Sequence, residues 1–143
     1  MVILDTIYAF GHKNILCTHN TTIEITKDNY LTPKGNCILG IRASKACINL
    51  NTTLKEKIKQ GKKIKVNITF NDMIDVFYGY GDPRLTLSSK DAVIFRKSDF
   101  ICDRTILINC TKSSIDLDRN LIKSIKNQQK KFKISFEVND YAE

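Results

Sequence analysis

His12 and His19 are the chain's two histidines. With Glu24 and Asp82 they are the residue types that could hold a divalent metal or move protons. Imidazole titrates near neutral pH, which makes His12 the first choice for acid–base work. Six residues separate the two histidines, which is not the spacing of two ligands on one helix face, and no GxSxG, P-loop or HExxH pattern occurs. The competing chemistry is anion binding. Arg84, Arg96, Lys97 and Arg104 crowd one stretch, and guanidinium forks suit phosphate oxygens. Tyr8, Tyr78, Tyr80 and Phe100 could stack bases, although no RNP-like, zinc-finger or helix-turn-helix signature accompanies them.

These residues belong to a pattern that the chain writes twice. Lys45, Ile48, Leu50, Leu54, Ile58 and Lys59 recur as Lys112, Ile115, Leu117, Leu121, Ile125 and Lys126. Ile7 to Leu31 aligns without a gap on Phe77 to Ile101, and Lys63-Ile64-Lys65-Val66 returns as Lys131-Phe132-Lys133-Ile134. A repeat of this length is the signature of a duplicated unit. Shared positions then serve the fold, and unmatched polar positions are where a site can diverge. The unmatched pairs are His12/Asp82, Asn14/Arg84, His19/Ser89 and Glu24/Ile94, with Arg42 opposite Asn109 and Cys37 opposite Arg104.

Each copy reads as several strands and one helix. Strands are expected at Thr6–Phe10 and Ile74–Tyr80, at Asn14–Thr18 and Arg84–Ser88, at Thr21–Thr26 and Asp91–Arg96, and at Cys37–Ala43 and Thr105–Cys110. Gly11 and Gly81 mark turns where a positive φ would be cheap. Ala92-Val93-Ile94-Phe95 is apolar on both faces and so central; Ile23 and Ile25 alternate with Thr22, Glu24 and Thr26, leaving one face open to solvent. Leu50, Leu54 and Ile58, and likewise Leu117, Leu121 and Ile125, give a helix one apolar stripe, with Asn51 and Asp118, or Asn49 and Asp116, as N-caps and Gly61 as a C-cap. The closing strands alternate strictly: Ile64, Val66, Ile68 and Phe70 against lysines and small polar residues, then Phe132, Ile134, Phe136 and Val138 likewise. Asn139–Glu143 reads as a frayed tail.

Ten or so strands and two helices make the expected fold mainly β (α+β). It is an internally duplicated β-sandwich, jelly-roll-like, or a barrel, with one amphipathic helix per repeat about a pseudo-twofold axis. Residues 1–143 form one domain of two repeats, about 6–72 and 74–139, because either half alone has too little core. The net charge of +8 and pI of about 9.3 suit an anionic partner. No apolar run approaches the roughly 20 residues of a membrane span. Met1-Val2-Ile3-Leu4 meets Asp5 without a signal-peptide pattern, and the five cysteines form no CxxC pair, so a reducing cytoplasm is the expected compartment.

Several stretches resemble an uncharacterised archaeal family, domain of unknown function family 371. They are Gly11-His12-Lys13-Asn14, Thr18 to Thr26, Leu31 to Ile38, Gly40 to Ala43, Gly81 to Leu87, Arg96 to Phe100, Cys102 to Thr105 and Asp116 to Arg119. The resemblance implies a compact, jelly-roll-like β-sandwich of archaeal origin and carries no activity or cofactor.

The functional expectation is a non-enzymatic binding protein with a basic site for nucleic acid or a phosphorylated small molecule. Its residues would be His12, Asn14, His19, Arg42, Arg84, Arg96, Lys97, Asp99 and Arg104. The alternatives are a protein-interaction or assembly module, or a hydrolase or metal site built on His12 and His19.

Overall fold

The computed structural model describes residues 2–138; the expected tail at Asn139–Glu143 lies outside them. One order of elements occurs twice. The first run is β1 (Val2–Phe10), β2 (Thr22–Thr26), β3 (Ile38–Gly40), a 3-10 turn at Cys47–Asn49, α1 (Thr52–Lys59) and β4 (Lys63–Phe70). The second is β5 (Met73–Tyr80), β6 (Ala92–Arg96), β7 (Thr105–Leu107), a 3-10 turn at Ser114–Asp116, α2 (Arg119–Gln128) and β8 (Lys131–Val138).

Among the described residues the strands form two four-stranded sheets and no closed barrel. The first has the order β1-β8-β4-β5 and the second β3-β2-β6-β7. The first is antiparallel throughout. In the second, β2 and β6 pair antiparallel at the centre while β3 and β7 join parallel at the edges. The sheets meet through aromatic rings. Phe95 of β6 packs edge-on against Phe77 of β5 at 5.2 Å and stacks with Phe136 of β8 at 6.1 Å. Around them Ile7, Ile23, Ile25, Ile64, Val66, Ile68 and Ile134 are buried in one continuous cluster. Strict alternation dictates this: one face of β4 and β8 enters the core and the other points away from it, with Asn67 and Ser135 at its centre buried among their neighbours. The helices flank the edge strands, α1 beside β1 and α2 beside β5. They dock by the expected stripe, Leu54 and Ile58 on one, Leu121 and Ile125 on the other.

Several expectations need correction. Asn14–Thr18 and Arg84–Ser88 are not strands, because each folds into turns. Ile15 donates to the His12 carbonyl and Leu85 to the Asp82 carbonyl. Cys17 (φ 51°) and Leu87 (φ 52°) then leave the extended region. The described residues therefore contain eight strands rather than ten or so. β3 and β7 stop early, because Arg42 (φ 51°) and Asn109 (φ 49°) turn the chain away. Leu50 and Leu117 precede their helices in extended conformation, since Asn51 and Asp118 are the N-caps that fix where each helix starts. The β2 face expected to meet solvent is largely covered: Thr22 and Thr26 are buried. The partner of that face is the other run's 3-10 turn. Ser114 donates from Oγ to the Thr22 and Cys37 carbonyls, and Cys47 donates from Sγ to those of Ala92 and Arg104.

Gly11 and Gly81 are required by proximity, not by a positive φ. A Cβ on Gly11 would lie 1.8 Å from the Ile125 carbonyl oxygen, and one on Gly81 1.9 Å from that of Ile58. Each glycine lets the end of an edge strand meet the last turn of the other run's helix. Gly61 is the one glycine in the left-handed region, at φ 77°, just past the end of α1.

Two buried carboxylates tie strands to helix entrances. Asp5 accepts from Lys45 Nζ at 2.6 Å, from the Asn51 amide at 2.7 Å and from the Thr6 amide at 2.8 Å. Asp75 accepts from Lys112 Nζ at 2.6 Å, the Asp118 amide at 2.7 Å and the Val76 amide at 2.8 Å. The carboxylates are 6% and 8% exposed, so burial without these donors would be costly.

Two predictions follow from these contacts. Gly81→Ala should cost on the order of 3 kcal/mol, because backbone must move, whereas Gly61→Ala should cost about 1–2 kcal/mol for its positive φ alone; urea unfolding measures both, and equal losses would refute the close approach. Asp75→Ala should cost on the order of 2 kcal/mol, below the figure for a fully buried pair because Lys112 keeps about a third of its side chain in water, 32%. Asp75→Asn should recover part of that, and a midpoint unmoved by Asp75→Ala would show the anchor to be idle.

Candidate functional site

The histidines sit in local turns. His12 Nδ1 accepts from the Asn14 amide at 3.0 Å, and His19 Nδ1 accepts from the Thr21 amide at 3.1 Å. Asp82 and Ser89 do the same work in the second run, accepting from the Arg84 and Asp91 amides. The pairs His12/Asp82 and His19/Ser89 are thus four acceptors of one kind, each closing a turn. Asn14 donates from its side chain to the Leu31 carbonyl at 2.7 Å. Among the described residues no group of three or more His, Cys, Asp or Glu is disposed to hold a metal ion.

The loop cations have protein partners. Arg84 is clamped on both oxygens of Asp82, at 2.9 and 3.1 Å, which lowers the Asp82 carboxyl's affinity for its proton; Asp99 adds a weaker pull on the same guanidinium. Lys97 reaches Asp116 at 3.1 Å. Arg104 faces Glu24 at 3.7 Å. Arg96 donates to Thr105 Oγ1 at 3.0 Å and lies over the Phe100 ring at 4.8 Å. A cleft of about 460 Å³ beside Arg104 is lined by Glu24, Asp28, Asp91 and Asp103 together with Ser89 and Thr26. Four carboxylates against one guanidinium make this cleft hostile to phosphate. Burial pushes the Glu24 carboxyl up, with Arg104 opposing.

Cys102 is chemically distinct from the other thiols. Burial opposes its ionisation, but hydrogen bonds from Thr105 and Arg96 and the Arg96 charge outweigh that and bring it down to about 7. Burial pushes Cys17 and Cys37 up to about 11, and Cys47 and Cys110 up to about 12. Sequence reasoning missed Cys102; the signal available was Cys-x-x-Thr close behind an arginine.

A different surface gathers exposed cations. The outer face of the first sheet presents, row by row across β1, β8, β4 and β5, Ile3-Glu137-Lys65-Tyr78, then Thr6-Ser135-Asn67-Val76, then Tyr8-Lys133-Thr69-Ile74. Phe10 beside Lys131 and Lys63 beside Tyr80 complete two opposite corners. Lys131 Nζ lies 4.9 Å from the Tyr8 ring centroid and Lys63 Nζ 4.8 Å from that of Tyr78. Arg42 reaches the same face, its guanidinium 4.0 Å from the Phe10 ring. Among the described residues Glu137 is the face's one acid, bonded to Asn67 at 3.1 Å and 3.6 Å from Lys65. Of the nine expected site residues, Arg42 is the one whose charged group lies on a ring of this face. The strand alternation was enough to find its lysines, but not to show that the four strands are neighbours.

The thiol contrast gives a measurable outcome. Iodoacetamide at pH 7–8 should label Cys102 ahead of the other four cysteines, with a rate inflecting at about 7. Thr105→Val should move that inflection upward. Peptide mapping that finds Cys17 or Cys47 labelled first would refute the assignment.

A family model described as a domain of unknown function, DUF371, matches residues 7–139. The Uncharacterized protein MJ0206 of Methanocaldococcus jannaschii is 44% identical over 120 residues, covering 84% of this chain and 89% of that one. Among the described residues no helix is long and apolar enough to cross a membrane. The motifs around Gly11, Gly81 and Asp116 that suggested an archaeal family fall within the matched span, and the chain belongs to the DUF371 family.

Proposed function

We propose that this is a non-enzymatic binding protein for an anionic ligand, nucleic acid or another phosphate-bearing molecule, and that the ligand lies on the outer face of the first sheet. The observation that carries this is the row arrangement of Lys63, Lys65, Lys131 and Lys133 around Tyr8 and Tyr78, with Glu137 as the sole acid among the described residues of that face. Like charges gathered on one face raise the local potential for a polyanion. The loop arginines first singled out are secondary in this reading, because Asp82, Glu24 and the lining of the acidic cleft already answer their charge. Arg42 joins the site from its edge.

We read the repeated element order as an internal duplication that makes one domain. Paired features support it: Asp5 with Asp75, Lys45 with Lys112, Gly11 with Gly81, and the left-handed Cys17 with Leu87. The lysine face then has two corresponding halves. A second reading, a protein-interaction module, rests on Tyr30 and Phe100, which are 67% and 60% exposed on matching loops.

Binding of a labelled oligonucleotide, followed by anisotropy, tests the proposal. Affinity should fall with added salt with a log–log slope of about −2 to −4, for several phosphate contacts. Changing Lys63, Lys65, Lys131 and Lys133 to Gln should abolish the slope, while Arg84→Gln should leave it. A flat salt response, or equal loss from Arg84→Gln, would overturn the proposal. Loss of a captured protein partner on Phe100→Ser, with no oligonucleotide bound, would favour the second reading.

A further inference from the structure

We infer that the lysine-bearing sheet binds single-stranded nucleic acid, with bases stacked on Tyr8 and Tyr78. This rests on the anion-binding reading above and narrows it to a ligand class.

The width of the face excludes groove reading. Four antiparallel strands place β1 and β5 three inter-strand spacings apart, about 14 Å between backbones alone, whereas a major groove is about 12 Å wide and takes a helix or a two-stranded ribbon. A duplex could touch this sheet only through phosphates, and the tyrosines would then have no role. A single strand exposes base faces, and every base has a π-face for an aromatic side chain.

The side chains are disposed for that alternation of charge and ring. Tyr8 is 43% exposed on edge strand β1, and Tyr78 lies on the opposite edge strand β5. Each ring has one lysine over it, Lys131 and Lys63 respectively. A base arriving on the ring displaces the ammonium sideways, to the position where the neighbouring phosphate must lie. Between the two rings, Lys133 and Lys65 supply charge, while Ser135 and Asn67, 5% and 7% exposed, keep the centre low enough for a backbone to cross. The row offset from Tyr8 to Tyr78 is four residues along β4, from Thr69 to Lys65. With the strand spacings this sets the rings about 20 Å apart on the diagonal. At about 3.4 Å per nucleotide a stacked strand spans that distance in about six steps, and an extended one in fewer, so roughly 4–7 nucleotides suffice, within the range of single-strand binding sites. The two halves are not identical: Glu137 stands beside Lys65 where Thr69 stands beside Lys133, and Arg42 lies on Phe10 without a counterpart at Asn109, so these positions are where the face can impose a polarity on the strand.

The test compares oligo(U), oligo(dT), a duplex of equal charge and heparin, each about 12 nucleotides or the equivalent in charge. The chain has no Trp, so its emission comes from five tyrosines, and the part of the quenching that disappears when Tyr8 and Tyr78 are replaced reports stacking on those rings. The full-length protein should bind oligo(U) or oligo(dT) at least tenfold tighter than the duplex or heparin, with tyrosine quenching. Tyr8→Ala with Tyr78→Ala should lose at least tenfold in affinity while keeping the salt slope, and the two Phe replacements should restore it. A preference between oligo(U) and oligo(dT) would identify RNA or DNA as the natural strand, and either supports the inference. Equal binding of duplex and heparin, or intact affinity in the Tyr→Ala pair, would overturn it while leaving the lysine face as a general anion site. No binding of any of the four would overturn both.

Discussion

The structure depends on two carboxylates that leave water during folding. Asp5 and Asp75 stand on the edge strands of the first sheet with their oxygens turned inward, where an unpaired charge could not persist. Each is answered threefold: by a lysine from the loop ahead of the helix, by the amide at the helix N-cap, and by the amide of the next residue in the strand. The donors come from different elements, so satisfying the carboxylate fixes where the helix begins relative to the strand. Lys45 and Lys112 are therefore lost to any ligand, although by count they belong to the chain's excess of cations. Net charge is a poor guide to a binding surface when the cations nearest the fold's joints are already engaged.

The same joint decides the glycines. With the helix start held at Asp5 or Asp75, the helix end arrives at a set height above the other edge strand, and only a residue lacking Cβ fits beneath the Ile125 or Ile58 carbonyl. Each helix thus touches both edge strands of the first sheet, one through its N-cap amide and the other through its last carbonyl. Neither helix covers the outer face of that sheet, and its side chains are the ones that alternate away from the core. The outward lysine face and the buried carboxylates are two results of one packing arrangement.

Much of this was legible in the sequence where a local rule suffices. Ile64-x-Val66-x-Ile68-x-Phe70 and its counterpart alternate with a period of two over eight residues, and no other conformation buries that set; β4 and β8 match to the residue. Asn51 and Asp118 cap their helices as their short acceptor side chains require. What was illegible depended on distant partners. Asn14–Thr18 has the composition of a strand, yet Cys17 at φ 51° breaks it, and nothing in the residue type announces that angle. Gly11 looked like a flexible turn because the carbonyl it accommodates lies far along the chain. His12 looked chemical because histidine is rare here, and only its match to Asp82 shows that the position asks for an acceptor. The loop arginines drew attention by density, whereas their acids, Asp82, Glu24 and Asp116, become visible as partners only in three dimensions.

The pairing of β1 with β8 has a consequence for biosynthesis. Val2 lies opposite Val138, so β1 must wait for β8, made well over a hundred residues later, before its inner edge is hydrogen-bonded. Until then the nascent chain can form the β4–β5 hairpin, whose partners are close in sequence, but must hold Ile7, Ala9 and the inner side of β4 without their neighbour. Such long-range closure is slow and leaves strand edges open to other chains. A chain cut before β8 would leave β1 and β4 without the strand that joins them, exposing two sticky edges rather than forming a smaller working protein.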